Sequence, residues 1–285
     1  MGPRLLTVGD NVVDQYPQQG LLYPGGNAVN VAVHARRLGA DSAYIGAVGS
    51  DSAGEVVLQA LRAEGVDTSR TRVREGATAH AVVTIVDGNR TFSSGDLGVS
   101  VFALLEDDLA TAATYDVVHT GECSNLEDQL PDLAAAARRL SFDFSERGWD
   151  YIEAHAPRAH IAIRSSPDAD VAEATAVAER LRALGPATVA VTLGARGALV
   201  LREALTYRPA PAGTIVDTLG AGDAFIARLL VGIAQDEPIE QLVGAATDYA
   251  TAACATFGAF GYATPLDPSP TRHEPSHRPH RLDVS

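Results

Sequence analysis

Lysine does not occur anywhere in the 285 residues. A Walker A loop requires Lys before its Ser or Thr, and the protein-kinase site requires a strand lysine, so both are excluded. Phosphate chemistry on this chain must rest on backbone amides and arginine. Cysteine is almost as scarce. Cys123 and Cys254 stand far apart in no metal-like spacing and are expected as small apolar residues or free thiols, not as a disulfide. No apolar run approaches the roughly 20 residues of a membrane span. The start, Met1-Gly2-Pro3-Arg4-Leu5-Leu6, enters a strand-like stretch with no signal-peptide pattern, so a cytoplasmic location is expected. Positive charge is also short: 22 basic residues face 36 acidic ones, a net charge of −14. That balance argues against general affinity for nucleic acid or anionic membrane, yet a local nest of amides can still hold phosphates. The first strand is not followed by a GxGxxG turn, which sets a dinucleotide oxidoreductase aside.

What is present reads as one large α/β domain. The apolar fraction is 46%, enough for a sizeable core. Strand-like segments are expected at 5–8, 43–48, 117–119, 141–144, 159–163 and 188–192. Helical stretches are expected at 27–38, 55–64, 129–140, 171–184, 224–234 and 239–257. This alternation predicts βαβ units around a parallel sheet. Two further segments, 11–24 and 79–96, have hairpin texture, with Asp87-Gly88 as turn chemistry in the second. Together they predict a small β lid, although an edge hairpin without function fits the same residues. This domain is expected to span 1–265. The Pro-, Arg- and His-rich segment 266–285 is expected to be disordered.

The strongest chemical signal is Asp217-Thr218-Leu219-Gly220-Ala221-Gly222-Asp223. Its glycines permit close backbone approach to a ligand, and the apolar run behind it opens a helix whose free amides favour an anion. Asp223 in the first turn can accept a proton from an attacking hydroxyl, or it can serve only as a favourable residue at a helix start. The local residues leave both open.

Three segments in order carry a resemblance. Asp217–Asp223, Gly25-Gly26-Asn27-Ala28-Val29-Asn30 and Val191-Thr192-Leu193-Gly194-Ala195-Arg196-Gly197 resemble signatures of the ribokinase/PfkB carbohydrate kinases. The resemblance implies a ribokinase-like three-layer α/β/α sandwich with a small β-sheet lid, and an ATP- and Mg²⁺-dependent sugar kinase. It implies Asp223 as base, with the amides of Gly220, Ala221 and Gly222 as the anion hole. It implies Asp14 and Asn30 on sugar hydroxyls, with Gly25-Gly26 as lid hinge. Thr192, Gly194, Gly197 and Gly258 would line the nucleotide, and Asp217 with the Thr218 carbonyl would hold a monovalent cation, K⁺ in many members. Arg90 on the lid can meet the sugar or face water. The lid edge can pair with a second copy into a homodimer.

Two departures stand out. The family's Asn-x-x-Glu segment is replaced by Ser165-Ser166-Pro167-Asp168, leaving Asp168 to reach Mg²⁺ through water. Its Asp-x-Asn-x-Arg segment reads Asp143-Phe144-Ser145-Glu146-Arg147, which marks the substrate side as changed. Gly9–Pro17 and 25–33 resemble members of the family that act on fructosamines. That implies a ketosamine substrate phosphorylated at its 6-hydroxyl, with Asp10, Asp96 or Glu122 as candidate carboxylates for the amine. A simple ketose, a sugar acid, a nucleoside, or a non-catalytic regulator of the same fold are the alternatives.

Overall fold

Successive residues of the central strands fill opposite cores. Leu5, Val117 and Ala190 pack on one face, and Leu6, Val118, Val189 and Val191 on the other, as the two-residue period of a strand requires. The computed structural model of the chain describes residues 2–86 and 89–266. From the N-terminus come β1 (Arg4–Val8), β2 (Val12–Tyr16), β3 (Leu21–Gly25), α1 (Asn27–Arg37), β4 (Asp41–Ile45), β5 (Ala47–Gly49) and α2 (Ser52–Ala63). Next are β6 (Arg72–Arg74), β7 (His80–Val86), β8 (Asn89–Asp96), α3 (Glu106–Ala112), β9 (Val117–Gly121) and α4 (Leu130–Ala136). Then follow β10 (Leu140–Asp143), α5 (Trp149–His155), β11 (Ile161–Ser165), α6 (Val171–Ala183), β12 (Thr188–Thr192), β13 (Ala198–Leu201) and β14 (Leu205–Arg208). The chain closes with α7 (Ala221–Ala234), α8 (Ile239–Ala253) and β15 (Thr264–Pro265).

The main sheet runs β14-β13-β12-β11-β10-β9-β1-β4. It is parallel from β12 to β4, and β13 and β14 are added antiparallel at one edge. One face is covered by α1, α7 and α8. Phe225, Ile226, Leu229 and Leu230 of α7 are buried there, each contributing about 1.5–3 kcal/mol by burial. The other face packs α4, α5 and α6 through Leu133, Ile152 and Leu181. A second sheet, β15-β3-β2-β7-β8, draws on the two hairpin segments and forms the lid layer. Its Tyr16, Tyr23 and Val83 make a small core against Leu219 of the loop before α7. The Asp87-Gly88 turn and the tail from 267 lie outside the described residues.

Several boundaries differ from the sequence reading; α2 also starts three residues early, at Ser52, and the strand expected at 159–163 is Ile161–Ser165. The strand expected at 43–48 is two, β4 in the main sheet and β5 paired with β6, broken at Gly46, where a side chain would meet the Tyr44 ring. The helix expected to run to 140 ends at Ala136, because Ala137 turns extended and leads into β10. The last helix stops at Ala253, four residues short. Helix α7 begins three residues early, with Gly220 left-handed at its N-cap (φ 73°). No helix among the described residues is long and apolar enough to cross a membrane.

Candidate active site

The carboxyl ends of β1, β9, β10, β11 and β12 open on one side of the sheet, where crevices of parallel α/β folds bind ligands. Asp223, the third residue of α7, is half-buried in that crevice. Its Oδ1 accepts from Asn27 Nδ2 at 2.8 Å, and its Oδ2 from Asn30 Nδ2 at 2.6 Å. Both asparagines lie on α1, which begins at the Gly25-Gly26 pair, so the GG…N segment and the Gly-Ala-Gly-Asp segment, 193 residues apart, meet here. Burial is the main cause that pushes the Asp223 carboxyl up to about 6. The Asn30 and Asn27 bonds counter it, and the Asp10 charge adds to it.

Two residues that sequence reasoning did not place complete the centre. Asn27 Nδ2 also donates to Asp143 Oδ2 at 3.0 Å, so one amide bridges two carboxylates. Asp143, at the end of β10, is pushed up to about 7, first by burial and then by the charges of Asp223, Glu122 and Asp10. A bond from the Ser145 amide opposes this. Behind Asn27 stands His119, fully buried on β9. A histidine inside the apolar run Val117-Val118-His119-Thr120 was the available signal for it.

The anion hole is narrower than expected. The Ala221 amide donates to the Thr218 carbonyl at 3.2 Å, whereas the amides of Gly220 and Gly222 have no acceptor among the described residues. Gly220 also lies against the Gly258-Ala259 turn: a Cβ there would stand 2.5 Å from Ala259 Cβ. With its positive φ, Gly220→Ala is expected to cost about 1–3 kcal/mol, read as a lowered Tm, together with a raised KM for nucleotide. A melting curve superimposable on the parent's would show the turn to be tolerant.

The remaining expected residues fall as follows. Asp14 on β2 is buried, and its Oδ2 lies over Gly25 beside Asn30 Oδ1, a buried oxygen without a donor among the described residues. Gly26 (φ 105°) passes against the Asn11 backbone. Asp10 is committed to the start of α1, accepting from the amides of Asn27 (2.8 Å) and Ala28 (3.2 Å). Glu122 pairs with Arg147 at 2.9 Å, and exposed Asp96 accepts from the Gly98 amide. Thr192 donates to Ser165 Oγ at 3.3 Å. Gly194 (φ 56°) and Gly197 (φ 104°) shape the β12–β13 connection. Gly258 (φ 68°) packs under the Tyr23 ring of the lid. Asp168 is exposed on the loop after β11. The Arg90 side chain lies outside the described residues.

The two groups expected to hold a monovalent cation accept hydrogen bonds within the turn. Asp217 Oδ1 accepts from the Leu219 amide at 2.8 Å, and Oδ2 from Tyr16 Oη at 3.2 Å and the Gly258 amide at 3.0 Å. The Thr218 carbonyl accepts from Ala221. This is a hydrogen-bonded staple joining lid, loop and turn. Among the described residues no three His, Cys, Asp or Glu side chains gather as a metal site. Mg²⁺ suits such a site as a passenger on the nucleotide's phosphates.

The profile of the pfkB family carbohydrate kinases matches residues 5–263. Fructosamine kinase FrlD of Bacillus subtilis (strain 168) is 37% identical over 269 residues, covering 92% of this chain and 94% of the relative. Fructoselysine 6-kinase of Escherichia coli (strain K12) is 38% identical over 260 residues, covering 90% and 99%. Arabidopsis thaliana ribokinase, solved with ribose and ATP, has the same fold at a TM-score of 0.80 and 20% identity, covering 91% of this chain and 95% of its own. An aminoimidazole riboside kinase from Salmonella enterica, solved with its riboside and an ATP analogue, follows at TM-score 0.74 and 26% identity, covering 93% and 96%. With Asp223, the open amides of the helix start and the small second sheet about one crevice, and the family profile spanning nearly the whole chain, this protein belongs to the pfkB family of carbohydrate kinases.

Proposed function

We propose that the protein transfers the terminal phosphoryl group of ATP to the 6-hydroxyl of a fructosamine such as fructoselysine. The observation that carries the reading is Asp223, half-buried at the start of α7 beside the amides of Gly220 and Gly222. As the 6-oxygen bonds to phosphorus, its proton passes to the Asp223 carboxylate, and the bond from phosphorus to the ADP oxygen breaks. The two amides, with the positive end of the helix, stabilise the charge on the moving group. Asp168 would reach Mg²⁺ through water, and the ion, bound on the phosphates, would supply further charge neutralisation. Thr192, Gly194, Gly197 and Gly258 line the nucleotide side. Asp14, Gly26, Asn30 and Arg90 take the sugar, and the donorless Asn30 Oδ1 is suited to accept from a hydroxyl.

The fructosamine is supported by the 37% and 38% identities over nine-tenths of the chain. It is supported also by the state of the acids. Asp10 is held by helix amides and Glu122 by Arg147, while Asp143 has no ion-pair partner among the described residues. We assign Asp143 to the substrate's ammonium.

Release of ADP in a coupled assay with fructoselysine, fructose, ribose and 2-keto-3-deoxygluconate tests the reading. The highest kcat/KM is expected on fructoselysine. Turnover confined to a plain sugar would remove the fructosamine and leave the kinase. Absence of ADP release with every acceptor would remove both.

A further inference from the structure

We propose that His119 is a positioning residue for the base: it sets which way the Asn27 amide faces, and through that amide it keeps Asp223 supplied with a hydrogen-bond donor. The inference deepens the reading above, since it rests on Asp223 as the proton acceptor.

The path is continuous and has one direction. His119 Nε2 lies 3.0 Å from Asn27 Oδ1, and His119 Nδ1 lies 3.0 Å from Ser141 Oγ. A carbonyl oxygen only accepts, so Nε2 carries the proton and Nδ1 receives the Ser141 hydroxyl hydrogen. Asn27 then turns its two protons outward, to Asp143 Oδ2 at 3.0 Å and Asp223 Oδ1 at 2.8 Å. A flipped Asn27 would aim its carbonyl at two carboxylates and its NH₂ at the imidazole N–H, so both ends would repel. The two carboxylates in front and the His119 N–H behind thus favour the same amide orientation, and His119 holds it when a carboxylate takes up a proton.

The environment keeps this donor constant. His119 is 0% exposed, and burial drives its pKa down to about 3, so the ring stays neutral throughout the working range. The charged groups around Asp223 are all acids: Asp10 from the loop after β1, Asp143 from β10, and Glu122 after β9, the last paired with Arg147. With the Asn27 donor gone, only Asn30 would offset that repulsion, and Asp223 would bind its proton more tightly.

His119→Phe removes the donor while keeping a ring, and His119→Gln restores an N–H at similar reach. The acid limb of kcat/KM, measured with whichever sugar the enzyme turns over, is expected to move up by about one pH unit in the Phe variant. Losing one hydrogen bond to a charged group corresponds to roughly tenfold in proton affinity. The limb should return toward the parent's in the Gln variant, with KM for ATP little changed in both. An unmoved limb in an active Phe variant, or equal losses in both variants, would overturn the proposal and leave His119 as packing. Nitrogen-15 NMR of the unmodified protein decides independently of folding of the variants and of the sugar: the Nε2–H tautomer is expected, and the Nδ1–H tautomer overturns the path.

Discussion

Asp223→Asn should lower kcat on the preferred sugar by about 10²–10⁴-fold, the range typical of a positioned general base. The base works only when ionised. With its carboxyl raised to about 6, parent kcat/KM on a plain sugar such as fructose, which has no ammonium for Asp143, should be flat above that pH and fall tenfold per unit below it. The variant has no carboxylate to titrate, so its residual rate should lose this limb. The change is nearly isosteric, so Tm should stay within a few degrees, separating lost chemistry from lost folding. A loss under tenfold, with the acid limb retained, would place the base elsewhere.

The second large effect concerns choice of substrate. Asp143→Asn should reduce the ratio of kcat/KM for fructoselysine to that for fructose by roughly 10- to 100-fold, the worth of a charge-assisted bond. The sign follows from the surroundings. Asp143 sits near 7 because it is buried among acids, and an ammonium beside it would pull that value down. Binding of the charged substrate near pH 7 therefore releases a proton, which calorimetry in buffers of different ionisation enthalpy would detect. If both sugars lost rate equally, Asp143 would belong to the shared chemistry and the ammonium would lie elsewhere.

The two ends of this site differed in how far the sequence disclosed them. Asp223 and Asn30 announce themselves because glycine-flanked segments leave a local imprint: a backbone near a ligand or at a left-handed N-cap needs glycine. Strand β12 was read to the residue, since Thr188–Thr192 is a buried run with clear ends. The early start of α7 was missed because glycines in a first turn resemble a loop until Gly220 is seen as the cap. Helix α4 was read too long because Arg138-Arg139 carries no stop signal before β10. The Asn27 bridge joins partners 92, 116 and 196 residues away. Such contacts leave no spacing to read, and only the strand order that brings β9 and β10 beside α1 creates them. The unusual Asp143-Phe-Ser-Glu-Arg segment marked the right place but not its job.

The Asp217 staple has a mechanical consequence. Tyr16 reaches it from the lid and the Gly258 amide from the turn after α8, so swinging the lid away must break the Tyr16 bond to a carboxylate that is 4% exposed and still held by the Leu219 and Gly258 amides. The buried acid thus ties the small sheet to the loop before α7 and to the turn after α8 at a single point, and Tyr16 is the strut that the small sheet contributes.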